Sequence, residues 1–367
     1  MSASVDAPDD HRIAAVAPFT QTPSSPVLWW AACGMVVVAI AVSAWGRWVF
    51  SADFTPAPIG PDVMPATHLI VLRSTEALFA ASGAMLAWRV LFRPWVRDRR
   101  VSWDGLFLIA CLSIYLQDPI DNYFNFTFCY NAHFINFGSW GMYIPGWESP
   151  RQNRFAEALL LMGGMFITLF FGLSVIGCWW LRKARSVLPR LSFMGHLALF
   201  FAFLVAVDLL IEVMFCHTEL FAYAGTYHPL TLWAGQPYQF PVYESTGIAS
   251  VCTGFTLLRY SRDDQGQSWA ERGVIRLRIP APARTAASFL ALLGFAHIMT
   301  FIVFFLPYTW FALKADSFPK LPSYLLTEIC GRGTPYACPS REVPIPSRRS
   351  LAIAPDDPRL SAEARRN

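Results

Sequence analysis

The stretch FMGHLALFFAFLVAVDLLIEVMF, residues 193–215, decides how this chain is read. Its 23 residues form one apolar run, long enough at about 1.5 Å of rise per residue to cross a hydrocarbon core of about 30 Å. Two carboxylic acids, Asp208 and Glu212, nevertheless stand near one end of it. An ionisable residue inside a membrane helix costs roughly 2.5 to 3.5 kcal/mol on insertion scales, so each one asks for a functional reason. Six more apolar runs flank this one, at residues 29–50, 69–88, 106–117 with its neighbours, 155–180, 242–258 and 286–305. The third is the weakest, since Asp104 and Asp118 bracket it. Together they predict an all-α, polytopic membrane helix bundle of about seven transmembrane helices.

Composition agrees. Hydrophobic residues make up 54% of the chain against 15% charged, and mean hydropathy is +0.38, more apolar than a soluble domain. Fourteen Trp, twelve Tyr and thirty Phe suit rings gathered at two membrane interfaces.

The net charge of +4 says less than its distribution. Arg89, Arg93, Arg97, Arg99 and Arg100 follow the second run; Arg182, Lys183, Arg185 and Arg190 follow the fourth; Arg259, Arg262, Arg272, Arg276, Arg278 and Arg284 follow the sixth. The alternate connections hold only Arg47, then Arg151 and Arg154, then none. The positive-inside rule then predicts a multi-pass protein of the cell membrane with a cytoplasmic N-terminus and an extracytoplasmic C-terminus. Asp6, Asp9 and Asp10 stand where a secretory leader would be basic, so no cleaved leader is expected. Residues 1–26 are read as a cytoplasmic disordered tail, 27–329 as the membrane domain, and the Pro-rich 330–367 as a largely disordered extracytoplasmic tail. Segments 122–154 and 216–239 are rich in aromatic residues, Gly and Asn rather than charge, and are expected to fold back as a cap.

The polar residues kept within the runs are not scattered. His68, Arg73 and Glu76 begin the second; Asp118 and Asp121 close the third; Glu157 opens the fourth; Asp208 and Glu212 end the fifth; Glu244 opens the sixth. With the stated orientation all fall in the outer half of the bilayer. Asp208 and Glu212 are four apart, hence on one helix face, and mutual repulsion would keep one protonated beside the other ionised, the arrangement of a general acid and a general base. Arg73 and Glu76, three apart, read equally well as a structural ion pair.

Other chemistry finds little footing. Cys33, Cys111, Cys178 and Cys252 lie in or beside apolar runs as small core residues. Cys330 and Cys338, with Gly331, Gly333 and Pro335 between them, predict a small disulfide-closed loop. No spacing resembles a metal site, and His68, His133, His217 and His228 read as hydrogen-bonding partners, so no metal is expected. No Walker loop or dinucleotide fingerprint is present, nor a basic nucleic-acid surface, because the Arg clusters are explained by topology. The last run has no Lys, which excludes a retinal-type Schiff base, and Asn125-Phe126-Thr127 is too short a glycosylation pattern to carry weight.

The connecting segments carry a more specific signal. Gln117-Asp118-Pro119 with Asn122-Tyr123, Tyr130-Asn131-Ala132, Asn136-Phe137-Gly138-Ser139-Trp140 and Pro145-Gly146-Trp147 resemble the AveC-like spirocyclase family. Downstream, Leu230-Thr231-Leu232, Gln239-Phe240-Pro241-Val242-Tyr243-Glu244, Arg262-Asp263-Asp264 and Leu321-Pro322-Ser323-Tyr324 continue the resemblance in order. It runs from about residue 29 to residue 330. The resemblance implies a membrane-bound enzyme of polyketide tailoring that closes a dihydroxyketone into a spiroketal, and can also dehydrate it.

Spiroketal closure needs a proton for a departing hydroxyl, a counter-charge for an oxocarbenium and a base for the attacking hydroxyl. Carboxyl groups fill all three roles without a cofactor. The expected acid and base are Asp208 and Glu212, with Asp118 and Glu244 next. Arg73 would orient a carboxylate, Gln117 and Asn122 would bind hydroxyls, and Glu76, Tyr123, Trp140 and Tyr243 complete the expected substrate-binding set. The expected partners are a lipophilic small molecule and the lipid bilayer. Two alternatives stand beside this reading: a membrane terpenoid cyclase using a protonated carboxyl, and a proton-coupled transporter using the same carboxylates as a relay. No internal repeat or pair of broken helices in corresponding halves favours the transporter.

Overall fold

A computed structural model describes residues 25–340 except 317, 318 and 332, together with 343, 353–360 and 365. Most of the N-terminal segment expected to be disordered, and much of the tail beyond residue 340, lie outside the described residues.

The fold is all-α, and among the described residues sheet is confined to two ladders of two residues per strand. Seven long helical segments run through the described residues: α1 (Pro26–Val49), α2 (Ala66–Asp98), α3 (Trp103–Ser113, continued by a 3₁₀ turn Ile114–Asn122), α4 (Leu159–Val187), α5 (Phe193–His217), α6 (Val242–Tyr260) and α7 (Ala281–Ala312). Five of them, α1, α2, α4, α5 and α7, are long and apolar enough to cross a membrane. A short α8 (Ser323–Leu326) follows.

Local chemistry sets these bounds. Pro26 at the first turn of α1 lacks an N–H that would be unsatisfied there anyway. Ser102 and Ser192 cap α3 and α5, each accepting from the amide three residues on, Gly105 at 3.0 Å and Gly195 at 3.1 Å. In α2 and α7 the helix widens to π turns at Trp88–Phe92 and Phe301–Phe305, just before Pro94 and Pro307. Proline removes a backbone donor and crowds the preceding turn, and a widened turn absorbs both effects. A third π turn, Phe166–Gly172, interrupts α4 without a proline.

Helices pair through glycine. A Cβ on Gly34 of α1 would collide with the Leu290 carbonyl of α7, and one on Gly294 with the Trp30 carbonyl. In the same way Gly164 of α4 faces the Phe79 carbonyl of α2, beside Gly83. Such small-residue contacts hold membrane helices together where lipid leaves no hydrophobic driving force between them. α5 packs on α6 and on the Leu173–Val187 half of α4, and α3 packs on α7. Outward faces stay apolar: Val42 is 69% exposed, Leu78 66% and Leu210 72%. A belt of this kind suits a lipid surround.

The arginine-rich connections share one end. There the Val27 amide reaches the Arg272 carbonyl (3.4 Å), Trp103 Nε1 donates to Glu271 (2.5 Å), Arg259 pairs with Asp104 (2.8 Å) and Arg185 donates to the Tyr260 hydroxyl (2.9 Å). The alternate connections meet at the other end. Asn136 accepts from the Ala57 amide (2.8 Å), Asp53 from the Tyr143 hydroxyl (2.6 Å), and Glu219 from the Tyr324 hydroxyl (2.6 Å) while also touching His68 (3.1 Å). At this end the segments after α3 and after α5 lie over the bundle and pair with each other. Strand β1 (Cys129–Tyr130) runs antiparallel to β2 (Phe221–Ala222), while β3 (Thr231–Leu232) pairs with β4 (Phe240–Pro241) inside the second segment. Cys330 and Cys338 are joined by a disulfide just after α8.

Candidate active site

Beneath the β1–β2 ladder lies a partly open cavity. Its walls are apolar, with Met162, Met165, Phe166, Leu169 and Phe170 from α4 and Phe304 and Phe305 from α7. The π turns of both helices face it, and π turns recur at functional sites. Into this apolar space project five carboxyl groups: Asp118 and Asp121 from the 3₁₀ turn after α3, Asp208 and Glu212 from α5, and Glu244 from the first turn of α6. The carboxyls of Asp118, Asp121, Asp208 and Glu212 all lie within electrostatic reach of Glu244.

Two tyrosines tie the carboxyls to the roof. Tyr130, at the end of β1, donates its hydroxyl to Asp118 Oδ2 at 2.9 Å. Tyr223, just after β2, donates to Glu212. The ladder aligns Tyr130 with Phe221, so one two-residue pairing positions both phenols. Behind them Glu157 accepts from Ser139 Oγ at 2.8 Å. Three carboxyl oxygens of the cavity, Asp121 Oδ1, Asp208 Oδ2 and Glu244 Oε2, are buried with no hydrogen-bond partner among the described residues. Buried polar atoms are nearly always satisfied, which sets these three apart from the other polar groups of the site. Five carboxyls gathered in one apolar cavity cannot all be ionised, because like charges at close range retain protons. The arrangement therefore supplies donors and acceptors of protons side by side.

Asp208, Glu212, Asp118 and Glu244, expected to carry the chemistry, thus share one cavity. The expected substrate-binding residues lie elsewhere. Arg73 pairs with Glu76 at 2.7 Å, and the other Glu76 oxygen accepts from the Ile135 amide at 2.9 Å, which ties α2 to the cap. Gln117 Nε2 donates to the His297 carbonyl at 3.3 Å, and Asn122 Oδ1 accepts from the Thr127 and Phe128 amides at 2.9 and 3.0 Å. Tyr123 donates to the Gly146 carbonyl at 2.6 Å. Trp140 is buried among Trp45, Trp48 and Tyr115 and donates to the Leu116 carbonyl at 3.0 Å. Tyr243 stacks on Phe311 with ring centroids 4.1 Å apart. His133 sits in the cap against Asn131 (2.9 Å), and burial together with the nearby Arg73 guanidinium holds its imidazole below the usual value.

Tyr130 and Tyr223 were missing from the residues expected at the site. Tyr130 opens one of the quoted motifs and Tyr223 sits in an aromatic segment, but nothing in either stretch announces that the two segments pair.

A family model described as "Spirocyclase AveC-like" matches residues 98–323. The matched stretch contains every residue lining the cavity. No curated protein and no solved structure matches the chain.

Proposed function

The chain belongs to the spirocyclase AveC-like family, and from that membership we propose that it is a membrane-embedded spirocyclase or dehydratase, of the lyase or isomerase kind, acting on a lipophilic, polyketide-like ketone-diol. The observation that carries this reading is the gathering of five carboxyls from three parts of the chain around one apolar cavity.

The steps balance with carboxyl groups alone. One substrate hydroxyl adds to the ketone and gives a hemiketal. A protonated carboxyl of the Asp208 and Glu212 pair then delivers its proton to the hemiketal oxygen, which leaves as water. The oxocarbenium left behind is stabilised by the neighbouring carboxylates. The second hydroxyl attacks it and surrenders its proton to the ionised partner, closing the spiroketal; transfer between the two carboxyls resets them. Loss of a carbon-bound proton from the same cation gives the dehydrated product. Phe166, Phe170, Phe304 and Phe305 keep bulk water from trapping the cation. Asp118 and Glu244 supply further charge, and Tyr130 and Tyr223 hold two of the carboxyls in place.

The test is direct conversion. Detergent-purified protein incubated with a long-chain ketone-diol is expected to give a product lighter by one water, assigned as spiroketal or alkene by NMR. Inertness toward ketone-diols combined with cyclisation of a polyene would transfer the site to terpenoid chemistry.

The arginine asymmetry supports seven crossings with the N-terminus cytoplasmic and the cap outside. Alkaline phosphatase fused after Arg100 or Arg185 is expected to be silent, and active when fused after Trp147 or Tyr238. The reverse pattern would invert the orientation.

A further inference from the structure

Exposure is uneven among the described residues that line the cavity. Its roof is Phe128, Tyr130, Phe221 and Tyr223, none more than 6% exposed. On the α3 and α7 side, Ile114, Thr300, Phe304 and Phe305 are equally buried. Among all the lining residues, the four that are only half-buried are Met165 and Leu169 on α4, Asp208 on α5 and Ile248 on α6. These belong to three neighbouring helices, so the cavity's exposure is concentrated on one flank.

Helix packing gives the reason. α5 meets α4 along Leu173–Val187, the half nearer the arginine-rich end, and meets the cap end through β2 and β4. Met165 and Leu169 lie on the other half of α4, where α5 is not held against it in the same way. α6, packed on both helices, forms the back of the gap and presents Ile248. Outside the gap the surface is apolar: Leu160 of α4 is 43% exposed, and Leu210 and Met214 of α5 are 72% and 49%. An aperture in such a belt opens toward hydrocarbon, not toward either aqueous phase.

We propose that this flank is a lateral portal through which substrate enters from the lipid, passing between Met165 and Leu169 on α4 and Asp208 on α5, so that Asp208 is the first polar group it meets. The substrate class follows from the path. It is an amphiphile that dissolves in the bilayer, mostly hydrocarbon, with its oxygen functions grouped so that they reach the carboxyls together while the rest stays against apolar wall. A polar metabolite arriving from water has no comparable route, because the aromatic roof closes the cap end. The identity of what enters rests on the cyclase reading above; the existence of the portal does not.

The portal is tested without turnover. Protein in phosphatidylcholine vesicles is treated with dicyclohexylcarbodiimide, which dissolves in bilayers and adds to protonated carboxyls, or with a quaternary-ammonium carbodiimide that stays in water. Adducts are mapped by peptide mass analysis. Asp208 is expected to be labelled by the first reagent and spared by the second. Leu169→Trp, which fills the gap, is expected to slow labelling on the order of tenfold, the change made by about 1.4 kcal/mol on a barrier. Leu169→Ala, a variant less prone to misfold, is expected to speed it. Labelling of Asp208 at similar rates by both reagents would overturn the portal. So would indifference to both Leu169 variants in protein that remains monodisperse. Neither result touches the cyclase reading, which fails separately if ketone-diols are not converted.

Discussion

Asp208→Asn and Glu212→Gln are each expected to lower turnover of a ketone-diol by on the order of a hundredfold or more, the usual worth of one positioned proton-transfer group. The double variant is expected to lose little beyond either single one, because groups that act as a unit are strongly non-additive. The geometry gives the grounds. The two side chains are one turn apart on α5, both line the cavity, and Glu212 is held by the Tyr223 hydroxyl. The amide replacements keep size and hydrogen-bonding capacity, so the Tyr223 hydroxyl still finds an acceptor and folded yield should change only modestly. Full activity in both single variants, together with collapse of folded yield, would make the pair structural and move the chemistry to Asp118 and Glu244. Steady-state rates combined with size-exclusion profiles separate these outcomes.

The largest expected effect on stability comes from a neighbouring pair of glycines. Gly163→Leu and Gly164→Leu place the same side chain on α4 at adjacent positions. At Gly163 a new Cβ meets nothing within 4 Å, whereas at Gly164 it falls on the Phe79 backbone carbonyl of α2. No side-chain rotation relieves a clash with backbone, so α2 and α4 would have to separate. The Gly164 variant is expected to lose about 3 kcal/mol, the upper end of the usual cost of overpacking. The Gly163 variant should unfold close to the parent temperature in detergent. Equal melting temperatures for the two would mean that the α2–α4 contact is not close-packed in the folded protein.

Much of this architecture was legible in the sequence because hydropathy and charge report directly on a bilayer. The runs around residues 29–50, 193–215 and 242–258 correspond closely to α1, α5 and α6, and the arginine clusters marked the connections that share one end. Weakness in the third run was legible too: α3 is regular only over Trp103–Ser113 and then tightens into a 3₁₀ turn that includes Pro119. The carboxyls at the cap ends of the helices could be grouped because depth along a helix is readable by counting residues.

What could not be counted was direction around a helix and pairing between distant loops. Trp140, Tyr243, Arg73 and Glu76 lie at the right end of the bundle yet turn toward Leu116, Phe311 and the cap backbone rather than the cavity. Gln117 and Asn122 spend hydrogen-bonding groups on the His297 carbonyl and the Thr127 and Phe128 amides. Tyr130 and Tyr223 reach the carboxyls through a ladder two residues long joining segments more than ninety positions apart, too short for any alternating pattern to reveal.

That ladder also makes the roof and the carboxyls a single thermodynamic system. Tyr130 sits at once in the β1–β2 pairing and on Asp118, and Tyr223, just after the partner strand β2, reaches Glu212. Any change in what those carboxyls carry alters the partner each phenol meets and so alters how firmly the covering segments are seated. By reciprocity the seating alters the protons' binding by the same free energy. Order in the covering segments and the proton inventory of the chamber are therefore two readings of one linked equilibrium.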